Sequence, residues 1–225
     1  MANVILTPGN DRYVQLLAEY LATWFEVIAG EGDDDIIVFG HQVQPGPGND
    51  RIERVPLPDG TWVGMTVAYW GSSGGVRVDL VRGTAEDGWG GRDTLINVDQ
   101  VGGSDRNDWF LGNERDNIFY PAAGNDTIDG GAGTDFVRLN WGYWPADGSA
   151  YREPLFSDVT IRVSTDGMQA TITLPGRQGS AAQYTLSNVE YLQGRQVAGG
   201  PEVNLVLADL ITHQTMAEDA IAAGG

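Results

Sequence analysis

From Gly103 to Arg138 the chain divides into four consecutive nonapeptides, and a strict nine-residue period leaves few folds open. The units are GSDRNDWFL (103–111), GNERDNIFY (112–120), PAAGNDTID (121–129) and GGAGTDFVR (130–138). Position six reads Asp108, Asn117, Asp126 and Asp135; position eight reads Phe110, Phe119, Ile128 and Val137. The last unit satisfies G-G-x-G-x-D-x-U-x throughout, U being a large apolar residue. Two copies stand upstream in another phase: AGEGDDDII (29–37), with Asp34 at position six, and PGPGNDRIE (45–53), with Asp50 there. Shorter matches are PGNDRY (8–13), which places Asp11 at six, and GWGGRDTL (88–95), which places Asp93 there.

The chemistry of one unit follows from its residue types. Glycines at positions two and four are Gly30, Gly32, Gly46, Gly48, Gly124, Gly131 and Gly133. They admit a sharp turn with φ > 0, which aims backbone carbonyls inward. The aspartate at six adds a carboxylate, and x-U-x is a short strand with one buried side chain. Carbonyl and carboxylate oxygens are hard ligands, suited to Ca²⁺ with its six to eight oxygen neighbours. One turn supplies too few, so ions must be shared between stacked turns, and the metal becomes part of the fold.

Composition agrees. The chain has 31 Asp+Glu against 13 Lys+Arg, a net charge of −18, and every basic residue is an arginine. That charge repels nucleic acid and anionic membrane surfaces, both of which need a basic face. The acids sit among Trp, Phe, Ile and Val, so they belong to folded segments and require neutralisation. There is no cysteine, which excludes disulfides and thiolate metal sites. No apolar stretch reaches the roughly 18 residues of a membrane span, and the N-terminus has no charged-then-apolar signal peptide.

These repeats closely resemble the RTX, or haemolysin-type, calcium-binding family of bacterial secreted toxins, proteases, lipases and alginate epimerases. The segments 67–108, 9–36 and 184–193 also resemble recurrent RTX elements. The resemblance implies an all-β chain built as a right-handed parallel β-roll, two nonapeptides per coil, with calcium between turns on the same edge. It pairs the turn of Asp108 with that of Asp126, and the turn of Asn117 with that of Asp135; Asp34 and Asp50 share an edge. Ser104, Arg106, Asn113 and Arg115 replace the glycines of the first two units, which weakens calcium binding there. The resemblance also implies type I export to the extracellular medium, which needs no N-terminal signal peptide.

The rest of the chain is expected to divide into RTX-like repeats over 1–53, a β-rich insertion over 54–102, the nonapeptide block 103–138, a β cap over 139–200 and a tail over 201–225. The insertion and cap alternate in the strand manner and are expected to flank the roll with antiparallel strands. The tail reads as a short C-terminal helix or a secretion-signal region. GSSGG (71–75) fits G-x-S-x-G, but a strand rather than a helix follows it. His41 and His213 are the only imidazoles, and no H-E-x-x-H occurs. Carboxylates abound, yet no spacing selects a catalytic pair, so a non-catalytic module is expected. Two alternatives stay open. One is a polysaccharide- or cell-surface-binding module using the aromatics of WGYWPADGSAY (141–151); the other is a calcium-stabilised enzyme acting on polysaccharide. The sequence does not set the oligomeric state.

Overall fold

The computed structural model describes residues 2–22, 25–139, 155–164, 168–175, 181–195 and 202–207. Two strands per coil build its first half. They are β1 (Ala2–Ile5) and β2 (Arg12–Val14), followed by a short helix α1 (Leu17–Ala22); then β3 (Phe25–Ile28) and β4 (Asp35–Val38); then β5 (His41–Gln44) and β6 (Arg51–Arg54). The next coil opens with β7 (Met65–Ala68) and continues as a meander of β8 (Arg77–Asp79), β9 (Thr84–Glu86) and β10 (Arg92–Ile96). The nonapeptide block supplies β11 (Gln100–Gly102), β12 (Trp109–Leu111), β13 (Ile118–Tyr120), β14 (Asn125–Asp129) and β15 (Phe136–Arg138). A second meander of β16 (Thr160–Val163), β17 (Gln169–Pro175) and β18 (Ala181–Ser187) leads to β19 (Tyr191–Arg195) and β20 (Glu202–Val206).

Among the described residues these strands form two sheets, ordered β1-β3-β5-β7-β11-β13-β15-β19-β20 and β16-β17-β18-β14-β12-β8-β9-β10-β6-β4-β2. The first is parallel from β1 to β19, and only β20 runs antiparallel. This is the parallel β-roll that the resemblance implies. The segment 54–102 contributes to both sheets: β7 lies between β5 and β11, and β10 lies parallel on β6. The roll therefore passes through that segment without a break. A single row of inward side chains accounts for this, since Val43, Val67, Val101, Phe119 and Val137 stack in register across five strands.

Alternation places one residue of each triplet in the core. Phe110, Phe119, Ile128 and Val137, the position-eight residues, are all fully buried, as are Ile36 and Ile52 upstream. Phe110 stacks on Phe119 across the two sheets, with ring centroids 5.9 Å apart. Close packing makes such a ring costly to remove. Phe119→Ala is expected to destabilise the calcium-loaded roll by about 3–5 kcal/mol, read from denaturant unfolding.

Position seven faces outward. Trp109 lies there, and the Arg77 guanidinium of the neighbouring strand stacks 3.7 Å from its ring. At the C-terminal end, antiparallel strands do flank the roll, as expected for 139–200. The start of the expected helix is instead strand: Leu205 and Val206 belong to β20, which satisfies the backbone edge of β19. Residues 208–225, and the aromatic segment 141–151 with Trp141 and Trp144, lie outside the described residues.

Candidate metal centre

Each position-six residue immediately precedes a strand or, as Asp93 and Asp126, is its second residue, so stacking the strands stacks these residues into ladders along the roll's edges. Along one edge the Asp11 N–H donates to Asp34 Oδ1 at 2.7 Å, the Asp34 N–H to Asp50 Oδ1 at 2.8 Å, and the Asp50 N–H to Asp93 Oδ1 at 2.9 Å. Past the first meander the same edge resumes: Val76 N–H donates to Asp108 Oδ1 at 2.7 Å and Asp108 N–H to Asp126 Oδ1 at 2.9 Å. On the opposite edge Asn117 N–H donates to Asp135 Oδ1 at 2.7 Å, and Asp135 N–H to Glu190 Oε2 at 2.7 Å. The pairings Asp108 with Asp126, Asn117 with Asp135, and Asp34 with Asp50 are thus present. The two short matches, Asp11 and Asp93, fall on the same ladder as the full upstream copies.

One oxygen of each aspartate after Asp11 is used by the ladder, and the other separates the ladder residues into two kinds. Oδ2 of Asp34, Asp50, Asp126 and Asp135 is buried with no hydrogen-bond partner among the described residues. These four residues are at most 2% exposed. A buried, unpartnered carboxylate oxygen is costly, and it marks a place where something cationic or protic belongs. The other members have protein partners. Asp93 Oδ2 accepts from the Tyr69 hydroxyl at 2.8 Å. Asp108 accepts from the Ser104 N–H at 2.7 Å and the Ser104 hydroxyl at 2.8 Å. Asn117 Oδ1 accepts from the Asn113 N–H at 2.8 Å. Asp11, on the outermost turn, accepts from the Thr7 N–H and hydroxyl.

The glycine departures explain the difference. Ser104 and Asn113 stand at position two and turn their side chains back onto the loop, where they accept from the Arg106 and Arg115 N–H groups. The glycine turns have nothing comparable and use the backbone itself. Gly30, Gly32, Gly46, Gly124, Gly131 and Gly133 all have φ between 89° and 127°, while Gly48 at 158° is nearly extended. A Cβ on Gly46 would sit 1.9 Å from the Gly30 carbonyl oxygen of the adjacent turn. The carbonyls of neighbouring turns are packed against each other's glycines, and no side chain fits between them.

Burial dominates the electrostatics. It pushes the carboxyl of Asp126 up to about 9, that of Asp50 to about 8, those of Asp93 and Asp135 to about 7, and that of Asp108 to about 6; Asp34 is also raised by burial. Among the described residues the arginines that form ion pairs stand elsewhere. Arg12 and Arg51 pair with Asp35 on the outer face at 3.0 and 2.8 Å, and Arg51 also reaches Glu53. Among the described residues no ion pair reaches Asp34, Asp50, Asp126 or Asp135. Nor do three or more His, Cys, Asp or Glu side chains converge closely enough to hold an ion by themselves. A cation at these turns would be held by one or two carboxylates and several backbone carbonyls. That is an all-oxygen set of the kind calcium accepts and softer metals do not prefer.

Three participants escape a search for nonapeptides. Tyr69 caps Asp93; Asp87, fully buried, accepts from the Trp89, Gly90 and Gly91 N–H groups; and Glu190 ends the second ladder. A signal existed for Glu190 alone, because Thr185–Glu190 (TLSNVE) repeats Thr94–Asp99 (TLINVD). The residues of the hydrolase-like GSSGG are ordinary turn structure: the hydroxyl of Ser73, the motif serine, donates to the Gly88 carbonyl at 3.3 Å, and that of Ser72 to the Asp87 carbonyl at 2.7 Å. His41 begins β5 and stacks on Tyr20 at 4.8 Å.

No curated protein matches the chain. Residues 102–140 match the family model of the RTX calcium-binding nonapeptide repeat, in four copies. That span contains both ladder types, two turns with orphaned carboxylate oxygens and two closed by Ser104 and Asn113. Residues 102–140 are thus RTX calcium-binding nonapeptide repeats, set in a parallel β-roll that extends beyond them on both sides.

Proposed function

We propose that the chain is a structural module that leaves the cell unfolded by type I export and folds outside on calcium. The observation that supports this most strongly is that Asp34, Asp50, Asp126 and Asp135, all on the ladders, each bury a carboxylate oxygen with neither a hydrogen-bond partner nor an ion pair among the described residues, whereas Asp99, whose Oδ1 is also buried without a hydrogen bond, has its charge met by Arg54. In calcium-poor cytosol these carboxylates repel one another and resist burial, which keeps the turns open. Extracellular calcium modules bind at about 10⁻⁴–10⁻³ M, so the medium outside supplies enough ion to close them. Asp34, Asp50, Asp126 and Asp135 act as carboxylate ligands, and the glycine turns around them supply carbonyls. Asp93, Asp108 and Asn117, already bonded by Tyr69, Ser104 and Asn113, hold the ladder between ion-bearing turns.

Calorimetric calcium titration of single variants tests this assignment. Asp126→Asn is expected to remove one ion per chain and leave the rest, whereas Asp93→Asn is expected to leave the number of ions unchanged. Equal losses from both substitutions would refute the division of ligands. No residue of this roll is assigned a catalytic role.

A further inference from the structure

The two meanders end in the same turn. Thr94-Leu-Ile-Asn-Val-Asp99 links β10 to β11, and Thr185-Leu-Ser-Asn-Val-Glu190 links β18 to β19. Asn97 and Asn188 both adopt left-handed backbone, at φ 59° and 49°, and Val98 and Val189 are both buried. Each meander's last strand also lies parallel on the preceding coil in the same register. Thr94 faces Arg51 of β6, and Thr185 faces Thr127 of β14. Three residues further along, Asn97 corresponds to Arg54, and Asn188 to Gly130.

That correspondence is where the two copies part. In the first, Arg54 is only 3% exposed, and its guanidinium donates to the Asn97 carbonyl at 2.8 Å while pairing with Asp99 Oδ2 at 2.5 Å. A cation belonging to the chain thus joins the carbonyl of the left-handed asparagine to the carboxylate two residues later. In the second copy a glycine replaces that arginine. The Asn188 carbonyl faces that glycine, the Glu190 carboxylate follows two residues later, and a third oxygen joins them. A Cβ on Gly130 would lie 1.9 Å from Asn188 O and 2.7 Å from Asp135 Oδ2. The two oxygens therefore flank one small space, and Asp135 Oδ2 is the fully buried atom with no partner among the described residues. Glu190 adjoins it, since its Oε2 accepts the Asp135 N–H.

We propose that Glu190 and the Asn188 carbonyl, both outside the nonapeptides, complete with Asp135 a calcium site at the end of the second ladder. This calcium stands where the first copy of the turn uses the guanidinium of Arg54. The inference rests on the reading of the ladders as calcium sites and extends it to a turn with no nonapeptide of its own. Glu190 then does for Asp135 what a position-six aspartate does elsewhere, its longer side chain spanning to the ladder from a different loop. The ion would bind the second meander to the last nonapeptide turn, as Arg54 binds the first meander to β6.

Glu190→Gln keeps an oxygen to accept the Asp135 N–H and removes the charge. By equilibrium dialysis with calcium it is expected to bind one ion fewer than the parent chain, while Asp99→Asn, at the arginine-filled turn, binds the parent number. An unchanged number and affinity in Glu190→Gln overturns the site. A parent chain that binds no calcium overturns the calcium reading itself, which separates the two failures. Should the glutamine variant not fold, terbium replaces calcium in the otherwise unaltered chain. Emission sensitised by the neighbouring Tyr191 is expected to fall in Tyr191→Phe, and undiminished emission overturns the proposal.

Discussion

In a calcium-free buffer near pH 7 the chain is expected to show the circular dichroism of coil, and millimolar calcium is expected to restore a β-spectrum in one cooperative step. The magnitude follows from the number of carboxylates involved. Metal-free, the folded roll must bury Asp34, Asp50, Asp126 and Asp135 with an oxygen of each unsatisfied, at roughly 1–3 kcal/mol or more per group. Four such terms amount to roughly 4–12 kcal/mol, comparable with the roughly 5–15 kcal/mol by which a domain is ordinarily stable. Calcium removes these costs and adds its own binding energy to the folded state alone. Magnesium is expected to substitute poorly, since it demands near-ideal octahedral geometry and sheds water reluctantly. A chain equally β-rich in calcium-free and calcium-loaded buffer would refute this account.

Acid is expected to act in opposite directions with and without the ion. Burial raises the carboxyls of Asp126 to about 9, Asp50 to about 8 and Asp135 to about 7 in the metal-free fold, above the ordinary 3.8. Raised folded-state values mean that the folded chain holds protons the unfolded chain has released. The associated stability is fully present below about pH 4 and is lost as pH rises through 7 to 9. Lowering the pH of the metal-free protein from 9 towards 5 should therefore raise its melting temperature or restore β-signal. Asp33, Asp35 and Asp79 shift downward and oppose this only near and below their ordinary value, outside that window. In calcium the sign reverses, because a proton and the ion compete for the same oxygen, and acid should weaken the loaded roll. Thermal melts at several pH values in both conditions test the pair. A metal-free melting temperature that falls steadily from pH 9 to 5 would contradict it.

Much of the roll was legible because its determinants are local and periodic. Position eight must be apolar and buried in every coil, and Phe110, Phe119, Ile128 and Val137 are. Position six must stand at the start of a strand, which put Asp34, Asp50, Asp108, Asn117, Asp126 and Asp135 on the ladders. The segment 54–102 was harder to place, because β7 carries no nonapeptide signature in front of it and β10 only the partial match GWGGRDTL. Their membership of the sheets depends on Val67 and Leu95 reaching a core supplied by other coils. Strand β20 was misjudged for a similar reason. Leu205 and Val206 suit either helix or strand, and the unpaired edge of β19 decided in favour of strand.

The sequence by itself determined the repeating turn and the oxygen chemistry of its ligands, since each depends on residues a few positions apart, and its family resemblance carried the parallel stacking. Only the tertiary structure decided which turns need an ion. Whether a buried carboxylate is met by the protein depends on groups far along the chain: the Tyr69 hydroxyl reaches Asp93 Oδ2 and Arg54 reaches Asp99 Oδ2, whereas Glu190 bonds only the Asp135 N–H and leaves Asp135 Oδ2 without a partner among the described residues. These contacts are made across coils, and a period of nine carries no information about them.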